Sequence, residues 1–457
     1  QDTNDEAIIF YNEQKHSKRI SWKQLRSNVF KISYYFKSQN INQNDRIAAV
    51  LPNMPETVEA FLACAQIGAI WSSCSSDFGP KAIIDRFKQI DPKILIITDY
   101  YFYNNKKIDT LKDIHSIIKE IPSIENIIII PYADDKILIK DFEYTNWNEI
   151  LNSQHKFEKF EKFNFNHPLY ILFSSGTTGV PKCIVHGAGG SLIQHKKEHQ
   201  LHLDIKEKDK VFYFTTCGWM MWNWLISSLA SKSSIVLYDG SPFVPNNDYL
   251  FEVSDKEGVT FFGTGAKFID HLKQNKISIK DHYKLSKLKT MASTGSPLVQ
   301  ESFDYVYNNI KNNLHLASIS GGDNFDFLFL GLARLLNNVH EALNTTLPGS
   351  LAQIECYQEI LILVWKLVEL NENFAKHILT ECDVCRIVVP CCFLAHQSRK
   401  DPSRVGLVHI CTFVLLKLSG ERQFSVALNK PFDEKLPTDL PRFEGTHADL
   451  VVVVLHR

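Results

Sequence analysis

The sequence predicts an α/β region built from parallel-sheet layers, followed by an all-α segment. Three observations carry this division. Residues 1–322 alternate short apolar runs ("DRIAAVL", "KILIITD", "ENIIIIP", "LYILF", "VFYFTT", "SSIVLYDG", "TFFGTG", "KTMASTG") with amphipathic stretches such as "PETVEAFLACAQIGAI". Apolar runs of about 4–8 residues between helical patterns mark strands buried on both faces, as in parallel sheets. From Asp323 onward, "FDFLFLGLARLLNNVHEAL", "LAQIECYQEILILVWKLVEL" and "RVGLVHICTFVLLKLSG" carry apolar residues at three- and four-residue spacing, punctuated by "LPGS" and "KDPS". That pattern predicts stacked helices without a fixed-period repeat. The basic residues change at the same point: residues 1–322 hold 33 Lys and 4 Arg, residues 323–457 hold 6 Lys and 7 Arg. Two domains are therefore expected, 1–322 and 323–457.

The bulk numbers set limits. A chain of 457 residues, 44% hydrophobic and 22% charged, has the composition of a soluble globular protein. A formal net charge of -1 argues against a nucleic-acid-coating or polybasic membrane protein. The start, "QDTNDEAIIFYNEQ", has neither a basic beginning nor an apolar core, so no secretory segment is expected. "VGLVHICTFVLLKLSG" is interrupted by His409 and Lys417, and reads as too short for a membrane span. The ten Cys are unevenly spaced, which fits reduced thiols and a cytoplasmic location. "NSQHKFEKFEKFNFNHP" is a polar connector leading into the next strand.

The most informative stretch is "LYILFSSGTTGVPKCIVH". A buried strand, Leu169–Phe173, delivers the loop Ser174, Ser175, Gly176, Thr177, Thr178, Gly179, Val180, Pro181, Lys182. Gly176 and Gly179 allow close backbone approach. Hydroxyls and successive N–H groups wrap phosphate oxygens, and Lys182 adds a point charge. The spacing is not that of the GxxxxGK[ST] phosphate loop. A plain Ser/Thr/Gly surface loop is the competing reading.

"SSGTTGVPK" resembles the phosphate-binding signature of the adenylate-forming enzymes, the acyl-CoA synthetase and luciferase-like superfamily. "DRIAAVLPNMPETVEAFLACAQIGAIWSSCSSDFGPKAIIDRFKQIDPKILI", "TTCGWMMWNWLISSLA", "LYDGSP", "ASTGSPL" and "SISGG" resemble its acetoacetate–CoA ligases, from about residue 5 to Gly322. The resemblance implies an incomplete large domain and a two-step reaction. Acetoacetate attacks the α-phosphate of Mg2+-bound ATP to give an acyl-adenylate and pyrophosphate, and coenzyme A then displaces AMP. It implies a catalytic role for Lys182, nucleotide contacts from the Ser174–Gly179 loop, Gly295, Ser296 and Pro297, and an acyl pocket lined by Trp219, Met220 and Met221. Trp219, Trp222 and Trp224 are equally readable as core anchors, and Asp239 reads as structural. Gly321, Gly322 and Asp323 stand where the family carries Gly-Gly-Thr-Asp, so the threonine is absent and Asp323 comes one place early.

After Asp323 neither the family's hinge nor the Ser-Gly-Lys motif of its C-terminal lid is found; "LSGERQF" is only superficially similar. Impaired turnover is the expectation. "ALNTTLPGSLAQIECYQEILILVWKLVE", "SRVGLVHICTFVLLKLSGERQFSVALNKPF" and "LPTDLPRFEGTHADLVVVV" resemble instead the high-temperature-induced dauer formation family, Golgi trafficking proteins of armadillo-like helical character. The chain thus reads as a chimera. The alternative to a ligase is a non-catalytic nucleotide-binding fragment fused to a helical trafficking scaffold, whose tail has protein partners. Metal ligands are not expected. His195 and His199 read as a solvated helix face, and Cys382, Cys385, Cys391 and Cys392 as core thiols.

Overall fold

A computed structural model describes residues 3–132, 142–174, 180–296, 298–319, 325–341, 356–432, 440 and 443–456. The chain divides into two compact units, Gln1–Ile319 and Ser320–Arg457.

The first unit is built on two seven-stranded sheets. In one, the strands run in the order His315–Ser318, Thr290–Thr294, Phe261–Gly265, Lys210–Tyr213, Ser234–Asp239, Glu6–Asn12, Ser17–Ser21, all parallel except the last. In the other the order is Lys182–Gly187, Pro168–Ser174, Ile70–Cys74, Arg46–Val50, Ile94–Thr98, Asn126–Ile130, Thr145–Asn146, with only Lys182–Gly187 antiparallel. A small hairpin, Tyr100–Tyr103 with Lys106–Asp109, stands apart.

The continuous apolar runs are explained by burial on both faces. Side chains alternate across a strand. Ile8 and Phe10 enter one core with Ile47, Ala49, Trp71 and Tyr170, while Ile9 and Tyr11 enter a second with Phe212, Phe262 and Met291. Ala48, Val50, Leu95 and Ile97 enter a third, with Ile83, Phe87 and Ile117 from flanking helices. The shared core therefore belongs to both sheets, and helices cover the outer faces. Helix Trp22–Ser38 shows how locally this is encoded. Ser21 accepts a hydrogen bond from the backbone N–H of Gln24 at 3.1 Å and caps its start. Leu25, Val29, Ile32 and Phe36 recur at four-, three- and four-residue steps and are buried.

The second unit is helical: Phe325–Glu341, Tyr357–Leu370, Glu372–Thr380, Cys385–Ser398, Val405–Ser419, Arg422–Leu428 and His447–His456. Its core includes Phe329, Leu361, Phe374, Val388, Leu394, Cys411 and Leu418. Asn371 caps one helix through the Phe374 N–H at 2.9 Å. Contrary to the sequence expectation, Pro402–Ser419 is long and apolar enough to cross a membrane by length and composition; 28% of that stretch is buried within the protein. Leu407, Cys411, Val414 and Leu418 of this helix pack into the helical core, while Val405, Phe413 and Leu416 on it are exposed.

Candidate functional site

Ser174 and Gly295, singled out in the sequence, stand at or just after the carboxyl ends of parallel strands, where open α/β sheets bind ligands. Pro168–Ser174 and Lys182–Gly187 form a hairpin whose register pairs Ser174 with Lys182. The two ends of the Ser/Thr/Gly loop are therefore cross-strand partners, and Lys182 is exposed at its rim. The loop's last turn is tied to the body by Gln89, whose side-chain amide donates to the Pro181 carbonyl at 2.9 Å. Ser175, Gly176, Thr177, Thr178 and Gly179 lie outside the described residues, as do Pro297, Gly321, Gly322 and Asp323.

On the other sheet, Gly295 and Ser296 follow the carboxyl end of Thr290–Thr294. Gly295 has φ +86, a conformation a side chain would strain, which explains glycine at this turn. Thr264, Ser293 and Ser318 stand in register on three neighbouring strands just before that edge. The hydroxyls of Thr264 and Ser293 are buried without a hydrogen-bond partner, as are those of Tyr213 and Thr216. The Tyr213 ring lies where a Cβ on Gly263 would fall, 2.1 Å away, so glycine there admits the ring. Buried polar atoms without a partner are costly unless a polar ligand or water uses them, and others are spread over helices, at Glu59, Trp147, His199 and Asn223.

The segment after Lys210–Tyr213 carries the three tryptophans, and the structure separates them. Trp219 precedes helix Met220–Ser227 and is 59% exposed. Met220 is half-buried and Met221 nearly buried. Trp222 and Trp224 are core anchors: their indole N–H groups donate to Asn53 Oδ1 at 3.0 Å and Glu198 Oε2 at 2.9 Å. The turn ahead of the helix is strapped to the second sheet, with Ser73 Oγ donating to the Cys217 carbonyl at 2.7 Å.

Two findings went beyond the sequence reading. His195 and His199 are buried, not solvated. His195 Nδ1 lies 2.9 Å from Ser227 Oγ, and the His199 ring meets Trp224 edge-on at 4.2 Å. Burial pushes their pKa values down to about 4 and about 3. The charged residues between them masked this, because the histidines of "HKKEH" face inward, as does the Glu198 carboxylate that accepts from Trp224. Asp239, at the end of its strand, is joined by Tyr132, whose hydroxyl donates to Oδ2 at 2.8 Å. Burial raises its pKa to about 7, and the Glu13 charge adds to the rise. Glu13 accepts from the backbone N–H groups of Asn104, Asn105 and Ser241. Glu13, just after strand Glu6–Asn12, ties the small hairpin to the first sheet. The sequence reading took Asp239 as structural and did not single out Glu13. Among the described residues no group of His, Cys, Asp or Glu is arranged to hold a metal ion. Cys385, Cys391 and Cys392 are buried, and Cys382 is partly buried.

Two layers of mostly parallel sheet, with Gly295 and the Ser174–Lys182 hairpin at strand ends, define an α/β domain of layered architecture. The family model described as "AMP-binding enzyme" matches residues 1–315, and the chain belongs to that family. Acetoacetyl-coenzyme A synthetase of Rhizobium meliloti (strain 1021) is 47% identical over 320 residues, 69% of this chain and 49% of that protein. Acetoacetyl-CoA synthetase of Gallus gallus is 41% identical over 324 residues, 68% of this chain and 48% of that protein. The solved acetoacetyl-CoA synthetase from Streptomyces lividans superposes with a TM-score of 0.67 at 34% identity, covering 70% of this chain and 50% of that one. The chain thus spans about half the length of the relatives it matches. A second model, "High-temperature-induced dauer-formation protein", matches residues 289–457. Its first residues overlap strands Thr290–Thr294 and His315–Ser318, which are paired into the first unit's sheet. Different parts of the chain thus match the models of two different families.

Proposed function

We propose that residues 1–322 form the adenylating part of an ATP-dependent acid–CoA ligase that uses acetoacetate, with turnover impaired in this chain. The observation that carries the reading is the hairpin pairing Ser174 with Lys182 around a "SSGTTGVPK" loop, in a chain of the AMP-binding family. Acetoacetate, ATP and coenzyme A are the substrates the reading assigns. A carboxylate is a poor acyl donor, and transfer of AMP to it makes a good one.

In this reading the hydroxyls and N–H groups from Ser174 to Gly179 hold the phosphates. Lys182 opposes the charge that spreads over phosphate oxygens as pyrophosphate departs. Gly295, Ser296 and Pro297 border the base and ribose, and Gly321, Gly322 and Asp323 the α-phosphate. The donor set is rich in hydroxyls and contains one ammonium, which fits a magnesium-bound triphosphate; Mg2+ would supply further charge neutralisation. Trp219, Met220 and Met221 shape a short acyl pocket, with Trp222 and Trp224 fixing the helix beneath them. Impairment follows from what comes after Asp323: the stretch matches a different family instead of the rest of a ligase. A missing charge-stabilising group costs several kcal/mol of barrier, roughly two or more orders of magnitude in rate. The boundary is placed at 322/323, which the division of the structure after Ile319 supports. A cytoplasmic setting suits these substrates.

The test is acetoacetate-dependent ATP–pyrophosphate exchange, with Lys182→Ala as control. The reading expects ATP binding that weakens in Lys182→Ala, and exchange at least about a hundredfold below the Rhizobium relative. Exchange matching the relative would remove the impairment. ATP binding indifferent to Lys182 would remove the site. The second family match favours one other reading, a non-catalytic nucleotide-binding fragment carrying a helical trafficking scaffold with protein partners. Exchange that is absent while ATP still binds selects it.

A further inference from the structure

A depression of about 420 Å³ lies away from the turns discussed so far. Its lining comes from segments that lead into the strands Thr290–Thr294 and His315–Ser318, at their amino ends. Gly295 leaves the opposite end of the first of these strands, about 17 Å away at strand rise. The volume is in the range of small-ligand sites.

Its chemistry is one-sided. Lys280, Lys284 and Lys311 line it together with Tyr283, Tyr307 and three asparagines, and no carboxylate does. Neighbouring carboxylates have other partners. Asp248 accepts from His282 and Tyr283, Asp270 from Ser302 beside Lys273, and Asp209 from Lys289. Asp281 is exposed and outside the lining. Lys311 is fixed in place: its ammonium donates to the carbonyls of Leu285 at 2.8 Å and Leu288 at 2.7 Å. Burial lowers its pKa, so an anion beside it would recover part of the lost solvation. Among the described residues these two carbonyls are its hydrogen-bond partners, and an ammonium has three N–H groups. Lys280 and Lys284 are exposed and make no ion pair among the described residues. Three ammonium groups, the amide donors and the Tyr307 phenol suit a compact, multiply charged oxyanion, the Tyr283 hydroxyl being engaged by Asp248.

We propose that this depression binds a small anion carrying two or more phosphate groups, at a place separate from the nucleotide site proposed above. Such an anion is either a free oligophosphate or the phosphate tail of a nucleotide. Titration calorimetry of the whole chain with inorganic tripolyphosphate tests it. The Lys280→Glu/Lys284→Glu pair should weaken binding at least about tenfold, since each removed charge contact is worth a few-fold under screening. Lys182→Ala should leave it unchanged. A surface control, Lys276→Glu/Lys287→Glu, alters net charge equally and should have a much smaller effect. All four lysines are exposed, so melting curves should remain those of the parent. ADP that displaces tripolyphosphate in the Lys182→Ala background identifies the nucleotide source; failure to displace it identifies the free oligophosphate. Either result supports the shared chemistry. No saturable binding below about 1 mM, equal weakening by the two double variants, or loss only in Lys182→Ala would overturn it. The last result would leave the ligase reading intact, so the two proposals fail separately.

Discussion

Trp219 and Trp222 stand one helical turn apart and behave oppositely. The first is 59% exposed, while the second is buried and donates to Asn53. Asn53 also donates to the Tyr238 carbonyl at 3.3 Å, so it bridges the helix and the first sheet. Asn53→Leu should leave the Trp222 N–H orphaned and cost about 1–3 kcal/mol, read as a lower melting temperature. A melting point within error of the parent would remove the bridge. His199 gives a pH signature. Its folded pKa is near 3 and its unfolded value near 6.5, so between those values the unfolded chain binds the extra proton. His199 therefore costs stability as pH falls from about 6.5 towards 3. His199→Phe should flatten that acid limb in urea titrations at stepped pH; an unchanged slope would contradict the burial. Sequence alone resolved this scale unevenly. Lys182 was singled out by its place after a Ser/Thr/Gly run, and the structure sets it opposite Ser174 in the hairpin. The inward turn of His195 and His199 was not, because Lys196, Lys197 and Glu198 sit between them and read as solvent-facing.

At the scale of elements, the strands were legible because parallel sheets buried on both faces leave unbroken apolar runs. "KILIITD" and "ENIIIIP" became Ile94–Thr98 and Asn126–Ile130. The small hairpin at Tyr100–Tyr103 and Lys106–Asp109 was not, since its strands are only 4 residues each and partly exposed. What fixes it is remote: Glu13 receives the N–H groups of Asn104 and Asn105 at its turn. Gly295 is the element-scale test of the nucleotide turn. Gly295→Ala forces a side chain into φ +86 and should destabilise by roughly 1–2 kcal/mol. ATP should also bind more weakly in this variant. Unchanged ATP affinity would separate the turn from the ligand. The helix cap at Ser21 offers a cleaner stability check. Ser21→Ala should cost about 1 kcal/mol by thermal melting, with no effect on ATP binding.

For the whole molecule, the structure divides into two units, and the models of two different families match residues 1–315 and 289–457. The change in Lys/Arg usage and the loss of strand signals marked the join in the sequence, because both follow from composition and period. The overlap of the second family's match with two sheet strands was not legible there, since those strands pair by backbone hydrogen bonds with distant segments. Residues 1–322 expressed alone should keep the first unit's melting transition; a molten product would show that the helical segment is needed for its fold. The central claim is that residues 1–322 are a sound adenylating part lacking its natural continuation. The most direct measurement is acetoacetate-dependent ATP–pyrophosphate exchange in a hybrid carrying, after Gly322, the remaining half of the Rhizobium relative. The account predicts exchange restored to within about tenfold of that relative and abolished by Lys182→Ala. A hybrid that melts cooperatively and binds ATP, yet shows no exchange, would contradict it.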